Sequence, residues 1–327
     1  MFKLKICIIG FGTVGRGIVE LIHKKKLDIE VVGICARNCC VYDKNGINLE
    51  HLIKNTAGLP LEKYPKADME LDTDKMIDMK CADIYVELTP TNIDDGEPGS
   101  SFIKKILSNS RHVVTSNKGP IVLHSRELKQ LAKKNNVKLL YEATVGGAMP
   151  VLNLVRENLQ GNSIQSIRGI LNGTTNYILT RMAAEGAPFA QILKEAQELG
   201  IAEKDPAYDV DGIDAAAKAV IIANEFFSKD SGMKDVDMTG ITRITPEFVS
   251  LAGKNGYSVK LIVEVNENVL RVAPRLIKKS HPLAVDGTLN ALNLKLDMAG
   301  EITVAGYGAG KYETAGAVIS DILSIKN

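Results

Sequence analysis

Leu4-Lys5-Ile6-Cys7-Ile8-Ile9-Gly10-Phe11-Gly12-Thr13-Val14-Gly15 decides the fold: an apolar run halts at a glycine triplet and resumes as an amphipathic pattern. Leu4–Ile9 reads as a buried strand and Val14–Lys25 as a helix. G-x-G-x-x-G between a strand and a helix predicts a dinucleotide phosphate loop. Gly10 permits the tight turn, Gly12 lets a pyrophosphate approach the backbone, and Gly15 lets the helix pack on the strand. The helix N-terminus adds N–H donors and a positive dipole end. Phe11, Thr13 and Val14 complete the loop. The competing reading is a tight turn that binds nothing.

Outward from this loop, short apolar runs alternate with helical patterns. Candidate strands are Leu4–Ile9, Glu30–Cys35, Ile84–Leu88, His112–Thr115 and Val137–Tyr141, with helices at Val14–Lys25, Gly99–Asn109 and Pro120–Asn135. This predicts an α/β fold: a Rossmann-type, doubly wound, mostly parallel sheet covered on both faces. After Pro150 the pattern changes. Helices are expected at Val151–Leu159, Thr174–Glu185, Phe189–Leu199 and Ile213–Phe227. Strands are expected at Ser163–Ile170, Tyr257–Val265, Val269–Pro274, Ala291–Leu296 and Ile302–Val304, with a hairpin about Asn266-Glu267-Asn268. Thr314–Ile325 reads as a last helix. The expected organisation is a dinucleotide-binding domain over 1–147, completed by 306–327, and an α+β substrate-binding and dimerisation domain over 148–305.

Composition narrows the partners. The chain has 327 residues, 45% hydrophobic and 24% charged, with net charge +1, so no global field draws nucleic acid or an anionic membrane. Tryptophan is absent and aromatics are 5%, which disfavours base-stacking platforms. No apolar run reaches the roughly 20 residues needed to span a bilayer, and Met1 leads straight into a strand pattern rather than a signal peptide. A cytoplasmic protein is expected. Cys7, Cys35, Cys39, Cys40 and Cys81 match no zinc spacing. Cys7 and Cys35 fall in expected buried strands, while Cys39-Cys40 falls in an expected loop. No cysteine follows Cys81.

Three further places carry chemistry. The second strand ends in Val32-Gly33-Ile34-Cys35-Ala36-Arg37, without the acid that binds a ribose 2′-hydroxyl. Arg37 can instead face a 2′-phosphate, which leans towards NADP; a solvated surface arginine is the bland reading. Lys118 follows the fourth expected strand, where open α/β sheets place their ligands; taken alone it is an ordinary loop lysine. Gly200-Ile-Ala-Glu-Lys-Asp-Pro-Ala-Tyr-Asp-Val-Asp-Gly-Ile-Asp-Ala-Ala-Ala-Lys218 is an acidic loop entering an alanine-rich helix. Asp214 and Lys218 share one helix face, and their apolar neighbours predict burial rather than a surface pair. Asp211 is a candidate N-cap of that helix. Asp205 and Asp209 are candidate caps or supporting groups. Gly173 and Thr174, at an expected helix start, offer backbone amides to a substrate carboxylate.

Taken together, these segments resemble homoserine dehydrogenase. The matching pieces are Gly10–Gly15, Glu87-Leu-Thr89-Pro90, Thr115-Ser-Asn-Lys118, Glu142-Ala-Thr-Val-Gly-Gly-Ala-Met-Pro150, Asn172-Gly-Thr-Thr-Asn-Tyr177, Gly200–Lys218 and Gly306-Tyr-Gly-Ala-Gly310 with Thr314-Ala315. The resemblance covers essentially the whole chain. It implies an enzyme interconverting aspartate semialdehyde and homoserine with NAD(P), and a homodimer. It implies Lys218 as the proton donor and acceptor at the substrate oxygen, Asp214 on that hydroxyl and Glu203 on the substrate amine. Lys118 would lie between nicotinamide and substrate, with Thr89, Pro90, Gly200, Glu203, Gly310 and Thr314 in the cofactor site. Glu142, Val145, Gly147 and Met149 would supply oxygens to a structural monovalent cation, sodium or potassium. The chain stops soon after the Thr314 helix and has no kinase segment, so feedback through an added regulatory domain is not expected.

The chemistry also discriminates. An aldehyde dehydrogenase acting through a thiohemiacetal needs a thiol in the second domain, where there is none. Another NAD(P)-dependent oxidoreductase of a small amino-acid-like substrate, and a catalytically silent dinucleotide sensor, are the other readings. Lys118 and Lys218 together argue against the sensor.

Overall fold

The computed structural model describes residues 3–326, which form two compact units. The first comprises residues up to Thr144 and from Gly310 onward; the second comprises Val145–Ala309.

The first unit runs β1 (Leu4–Ile9), α1 (Thr13–Lys25), β2 (Ile29–Cys35), β3 (Cys40–Tyr42), α2 (Leu49–Asn55), α3 (Thr73–Asp78), β4 (Ile84–Glu87), α4 (Gly99–Ser108), β5 (His112–Thr115), α5 (Lys118–Lys134) and β6 (Leu139–Leu140), then a C-terminal helix Lys311–Lys326. The strands form one sheet in the order β3-β2-β1-β4-β5-β6. All pairs are parallel except β2–β3. This is the expected doubly wound sheet, and the chain reverses direction across it between β1 and β4, where such sheets bind nucleotides. Ile6, Ile8, Ile34 and Val86 form a core with Ile18 and Ile22 of α1 and Ala315, Val318 and Ile322 of the C-terminal helix. Lys311 Nζ and Tyr312 Oη both donate to Glu20 of α1, at 2.7 and 2.8 Å.

Two expectations need correction here. Cys40 is not in a loop: it begins the edge strand β3, opposite Cys35, and Cys39 and Cys40 are both buried. The Val137–Tyr141 strand shrinks to two residues because only Leu139 and Leu140 find partners in β5.

The second unit contains α6 (Gly173–Glu185), α7 (Phe189–Glu198), α8 (Ala207–Val210), α9 (Ile213–Phe226) and α10 (Pro246–Lys254). Its strands are β7 (Ile164–Ile170), β8 (Asp237–Met238), β9 (Tyr257–Val265), β10 (Leu270–Lys278), β11 (Leu289–Leu296) and β12 (Glu301–Tyr307). They form a sheet in the order β12-β11-β7-β9-β10-β8. It is antiparallel but for the short β8–β10 pair. The hairpin between β9 and β10 closes where Asn266 Oδ1 accepts from the amides of Asn268 and Val269, at 2.8 and 2.9 Å. The expected helix at Val151–Leu159 widens into a π turn at Leu154–Asn158, within which Arg156 is drawn onto Glu225 of α9 at 2.6 Å.

Candidate functional site

The glycine loop has the geometry a phosphate loop requires. Gly10 has φ +102°, and a Cβ there would lie 2.6 Å from the Leu88 carbonyl oxygen. A Cβ on Gly15 would lie 2.4 Å from the Gly10 carbonyl oxygen, which is the close helix–strand approach. Gly12 meets nothing within 4 Å, so its backbone is open to a ligand. Gly12 is also the N-cap of α1 and supplies no side-chain bond to the helix start. Arg16, one turn on, stacks over the Phe11 ring at 4.6 Å and donates to the carbonyls of Thr56 and Leu59 at 2.7 and 2.6 Å. It thereby ties the loop after α2 to the glycine loop.

Arg37 lies on the β2–β3 connection, exposed, and forms no ion pair among the described residues. Thr89 and Pro90 follow β4, and Lys118 opens α5 behind its N-cap Asn117. These strand ends are organised by Glu87, the last residue of β4, which is completely buried. Its Oε1 accepts from the Thr89 amide at 2.8 Å, from the Thr89 hydroxyl, and from Asn117 Nδ2 at 3.4 Å. Its Oε2 accepts from the Thr115 hydroxyl at 2.9 Å. Burial pushes the Glu87 carboxyl above its ordinary value, and these hydrogen bonds oppose that shift. Asn117 Oδ1 in turn caps α5 by accepting from the Gly119 amide at 3.1 Å. Gly310, with φ +140°, and Thr314 start the C-terminal helix, and the Thr314 amide donates to the Gly310 carbonyl at 3.1 Å.

In the second unit the expected helical pair is real and buried. Lys218 Nζ donates to Asp214 Oδ2 at 2.7 Å and to the Leu171 carbonyl at 2.5 Å. Both residues are 7% exposed. Asn172 Nδ2 bridges Asp209 Oδ1 at 2.7 Å and Asp214 Oδ2 at 3.0 Å. Asn172 Oδ1 accepts from the Thr175 amide at 2.9 Å, so the same side chain caps α6 and orients the carboxylates. Gly173 and Thr174 form the first turn of that helix, and the Thr174 hydroxyl donates to the Ile201 carbonyl at 3.1 Å. The Tyr208 hydroxyl is buried without a hydrogen-bond partner among the described residues, and burial and the nearby Asp214 and Asp209 push its pKa up.

Gly200 (φ +71°) ends α7, and Gln197 Nε2 fixes the following loop by donating to the carbonyls of Glu203 and Lys204 at 3.1 and 3.2 Å. The Glu203 carboxylate is exposed and makes no ion pair among the described residues. Asp205 Oδ1 accepts from the Ala207 amide at 3.2 Å, at the start of α8. Asp211 is not the cap of α9. The N-cap is Gly212 in the left-handed region, with no side-chain bond. Because only Asp211 and Gly212 separate α8 from α9, Asp211 stays helical as the C-cap of α8. Sequence reasoning passed over Glu87, Thr115, Asn117 and Asn172 as working side chains. For Asn172 a signal was present: an asparagine three residues before Thr175 at a helix start is a capping pattern.

In the expected cation segment, the Glu142 amide donates to the buried Asp321 carboxylate at 2.9 Å. Further on, the Met149 amide donates to the Gly146 carbonyl at 2.9 Å and the Ala148 amide to the Tyr307 carbonyl at 3.0 Å; Val145 and Met149 are buried, and Gly147 has φ +58°. Among the described residues, no cluster of three or more histidine, cysteine or acidic side chains is arranged for a metal, and no helix is long and apolar enough to cross a membrane.

Comparison with known proteins matches both units. Residues 10–142 match the family model of the homoserine dehydrogenase NAD-binding domain, and residues 150–323 that of homoserine dehydrogenase. The homoserine dehydrogenase of Methanocaldococcus jannaschii is 45% identical, over 99% of either chain. The NAD(+)-dependent homoserine dehydrogenase of Pseudomonas canavaninivorans is 37% identical, over 99% of this chain and 97% of that one. The crystal structure of a putative homoserine dehydrogenase from Archaeoglobus fulgidus superposes with a TM-score of 0.89 at 42% identity, covering 98% of this chain and 99% of that one. A hyperthermophilic archaeal homoserine dehydrogenase in complex with NADPH gives 0.86 at 30% identity, covering 99% and 98%. With the glycine loop in its first unit and the buried lysine–aspartate pair in its second, the chain belongs to the homoserine dehydrogenase family.

Proposed function

We propose that Lys218 and Asp214 form the acid–base centre of this NAD(P)-dependent enzyme, which interconverts L-homoserine and L-aspartate 4-semialdehyde in threonine, methionine and isoleucine biosynthesis. The bound nicotinamide cofactor supplies the hydride acceptor; the proton and the substrate's placement fall to the chain. An ammonium has three donors. Lys218 spends one on Asp214 and one on the Leu171 carbonyl, which leaves one for a substrate oxygen. That arrangement is the observation that carries the reading. Asp214, held by Asn172, anchors the lysine and accepts the substrate hydroxyl. General acid–base assistance of this kind is worth about 10²–10⁴-fold.

The remaining roles follow from charge. The Glu203 carboxylate, which makes no ion pair among the described residues, suits the cationic substrate amine. Gly173 and Thr174 open α6 and suit the substrate carboxylate, since a helix start presents N–H donors to an anion. Lys118, at the ends of β4 and β5, serves the nicotinamide end of the cofactor. Gly10–Gly15 hold the pyrophosphate, with Thr89, Pro90, Gly310 and Thr314 as the further cofactor residues of the first unit; in the second unit the family resemblance gives that role to Gly200 and Glu203. Exposed Arg37 faces a 2′-phosphate, which makes NADP the preferred cofactor. Carbonyls of Glu142, Val145, Gly147 and Met149 suit a structural monovalent cation, since carbonyl oxygens can replace its hydration shell. A cytoplasmic homodimer assembled through the second sheet completes the proposal.

Purified protein given L-homoserine and NADP is expected to show the near-ultraviolet absorbance of reduced nicotinamide. No homoserine-dependent change with NADP or NAD would sink the assignment.

A further inference from the structure

Glu87 is a buried acid that the reaction scheme above does not use. It is the last residue of β4, on the side of the sheet's reversal where the nicotinamide half of a dinucleotide lies. It is 0% exposed and forms no ion pair among the described residues. Four donors converge on it: the Thr89 amide and hydroxyl, Asn117 Nδ2 and the Thr115 hydroxyl. Their polarity is consistent. The Thr115 hydroxyl accepts from the Asn117 amide at 2.9 Å, and the Thr89 hydroxyl accepts from Asn117 Nδ2 at 3.2 Å, so both spend their own protons on Glu87. Donors from two separate segments, the turn after β4 and the stretch from the end of β5 to the cap of α5, thus hold one carboxylate, and those segments carry Thr89 and the start of the Lys118 helix.

A buried anion costs stability unless it is paired or fully hydrogen-bonded. Here hydrogen bonds serve, and no protein cation is bonded to it among the described residues. Such a charge favours any cation brought to the ends of β4 and β5. Of the groups in the reaction, the nicotinamide ring gains and loses a positive charge at each turnover.

We infer that Glu87 is an anionic positioning residue: it fixes Thr89 and Asn117 at the strand ends, and its charge tightens the oxidised cofactor relative to the reduced one. This rests on the proposed seat of the nicotinamide half beside β4 and β5. It separates two effects of one side chain. The hydrogen bonds set how well either cofactor binds, and the charge sets the ratio between them.

The test is direct binding of NADP⁺ and NADPH to the full chain, by calorimetry or fluorescence, without substrate. Wild-type protein that bound neither nucleotide would overturn the seat itself. With binding present, Glu87→Gln keeps the shape and removes the charge. It is expected to raise the ratio of Kd(NADP⁺) to Kd(NADPH) roughly tenfold or more, the scale of a unit charge within about 12 Å acting through an effective dielectric of about 20. An unchanged ratio would overturn the inference while leaving the seat intact. Glu87→Asp keeps the charge but withdraws it from its donors. It is expected to weaken both cofactors and preserve the ratio; a ratio shift equal to that of Glu87→Gln would overturn the role of charge.

Discussion

Lys218 Nζ sits 2.7 Å from Asp214 Oδ2, one turn away on the same helix, and both side chains are about nine-tenths buried. A surface pair at this spacing contributes a few tenths of a kcal/mol. A buried pair behaves differently, because removing one partner strands the other and costs about 3–5 kcal/mol. Lys218→Met is therefore expected to lower stability as well as abolish turnover, by about 10²–10⁴-fold or more, with cofactor affinity retained. Asp214→Asn combined with Lys218→Met removes both charges and should recover part of the lost stability without activity. Denaturant melts, nucleotide binding and steady-state kinetics together decide it. Near-normal turnover of Lys218→Met would remove the lysine from the acid–base role.

The glycine loop allows a separation of folding from binding. Gly10→Ala forces a Cβ to within 2.6 Å of the Leu88 carbonyl at a φ of +102°. It should destabilise the first unit and reduce soluble yield. Gly12→Ala meets nothing within 4 Å and should leave the melting temperature close to wild type. Its methyl group would nevertheless stand where the pyrophosphate approaches, so NADP affinity should fall at least tenfold, about 1.4 kcal/mol. Undiminished NADP binding by Gly12→Ala would mean that the loop is a tight turn and no more.

Much of this was legible beforehand, and the rest was not for identifiable reasons. β1 and β5 were readable residue for residue because they are apolar runs closed by glycine or polar residues. The Asp214–Lys218 pair was readable from helical spacing and its alanine-rich surroundings. The elements overlooked are short: β3, α2, α3, α8, β8 and α10. Their periodicity is too brief to register, although three carry capping signals. Asn48, Asp72 and Thr245 each accept from an amide three residues on. The Glu87 network was not legible, because its partners Thr89, Thr115 and Asn117 come together only when β4 and β5 pair. Asp211 failed as a cap because nothing in its sequence shows that only Asp211 and Gly212 separate α8 from α9.

Arg37 tests cofactor choice. It is exposed on the β2–β3 connection and not paired within the described residues, so its loss should cost little stability. Charge-assisted bonds to a phosphate are worth about 1.5–3 kcal/mol. Arg37→Ala should therefore weaken NADP roughly 10- to 150-fold and leave NAD almost unchanged. The comparison needs both affinities at one ionic strength, since exposed charges are screened by salt. Equal losses for the two cofactors would make Arg37 a structural residue.

Glu203 tests substrate recognition. Its backbone is pinned by Gln197, but its carboxylate is exposed and forms no ion pair among the described residues. A carboxylate so placed has a charge to spend on a ligand. If it holds the substrate amine, removing the charge should cost a bond worth about 1.5–3 kcal/mol. Glu203→Gln should then lower kcat/KM for homoserine roughly 10- to 150-fold. A structural defect would do the same, so the substrate must be varied too. 4-Hydroxybutyrate is homoserine without its amine, and wild-type enzyme should use it poorly. Glu203→Gln should lose little further activity on it, because the deleted charge no longer has a partner. The cycle of two enzymes and two substrates isolates the contact from everything else the mutation does. Equal losses on both substrates would place the amine elsewhere and leave Glu203 as a loop residue.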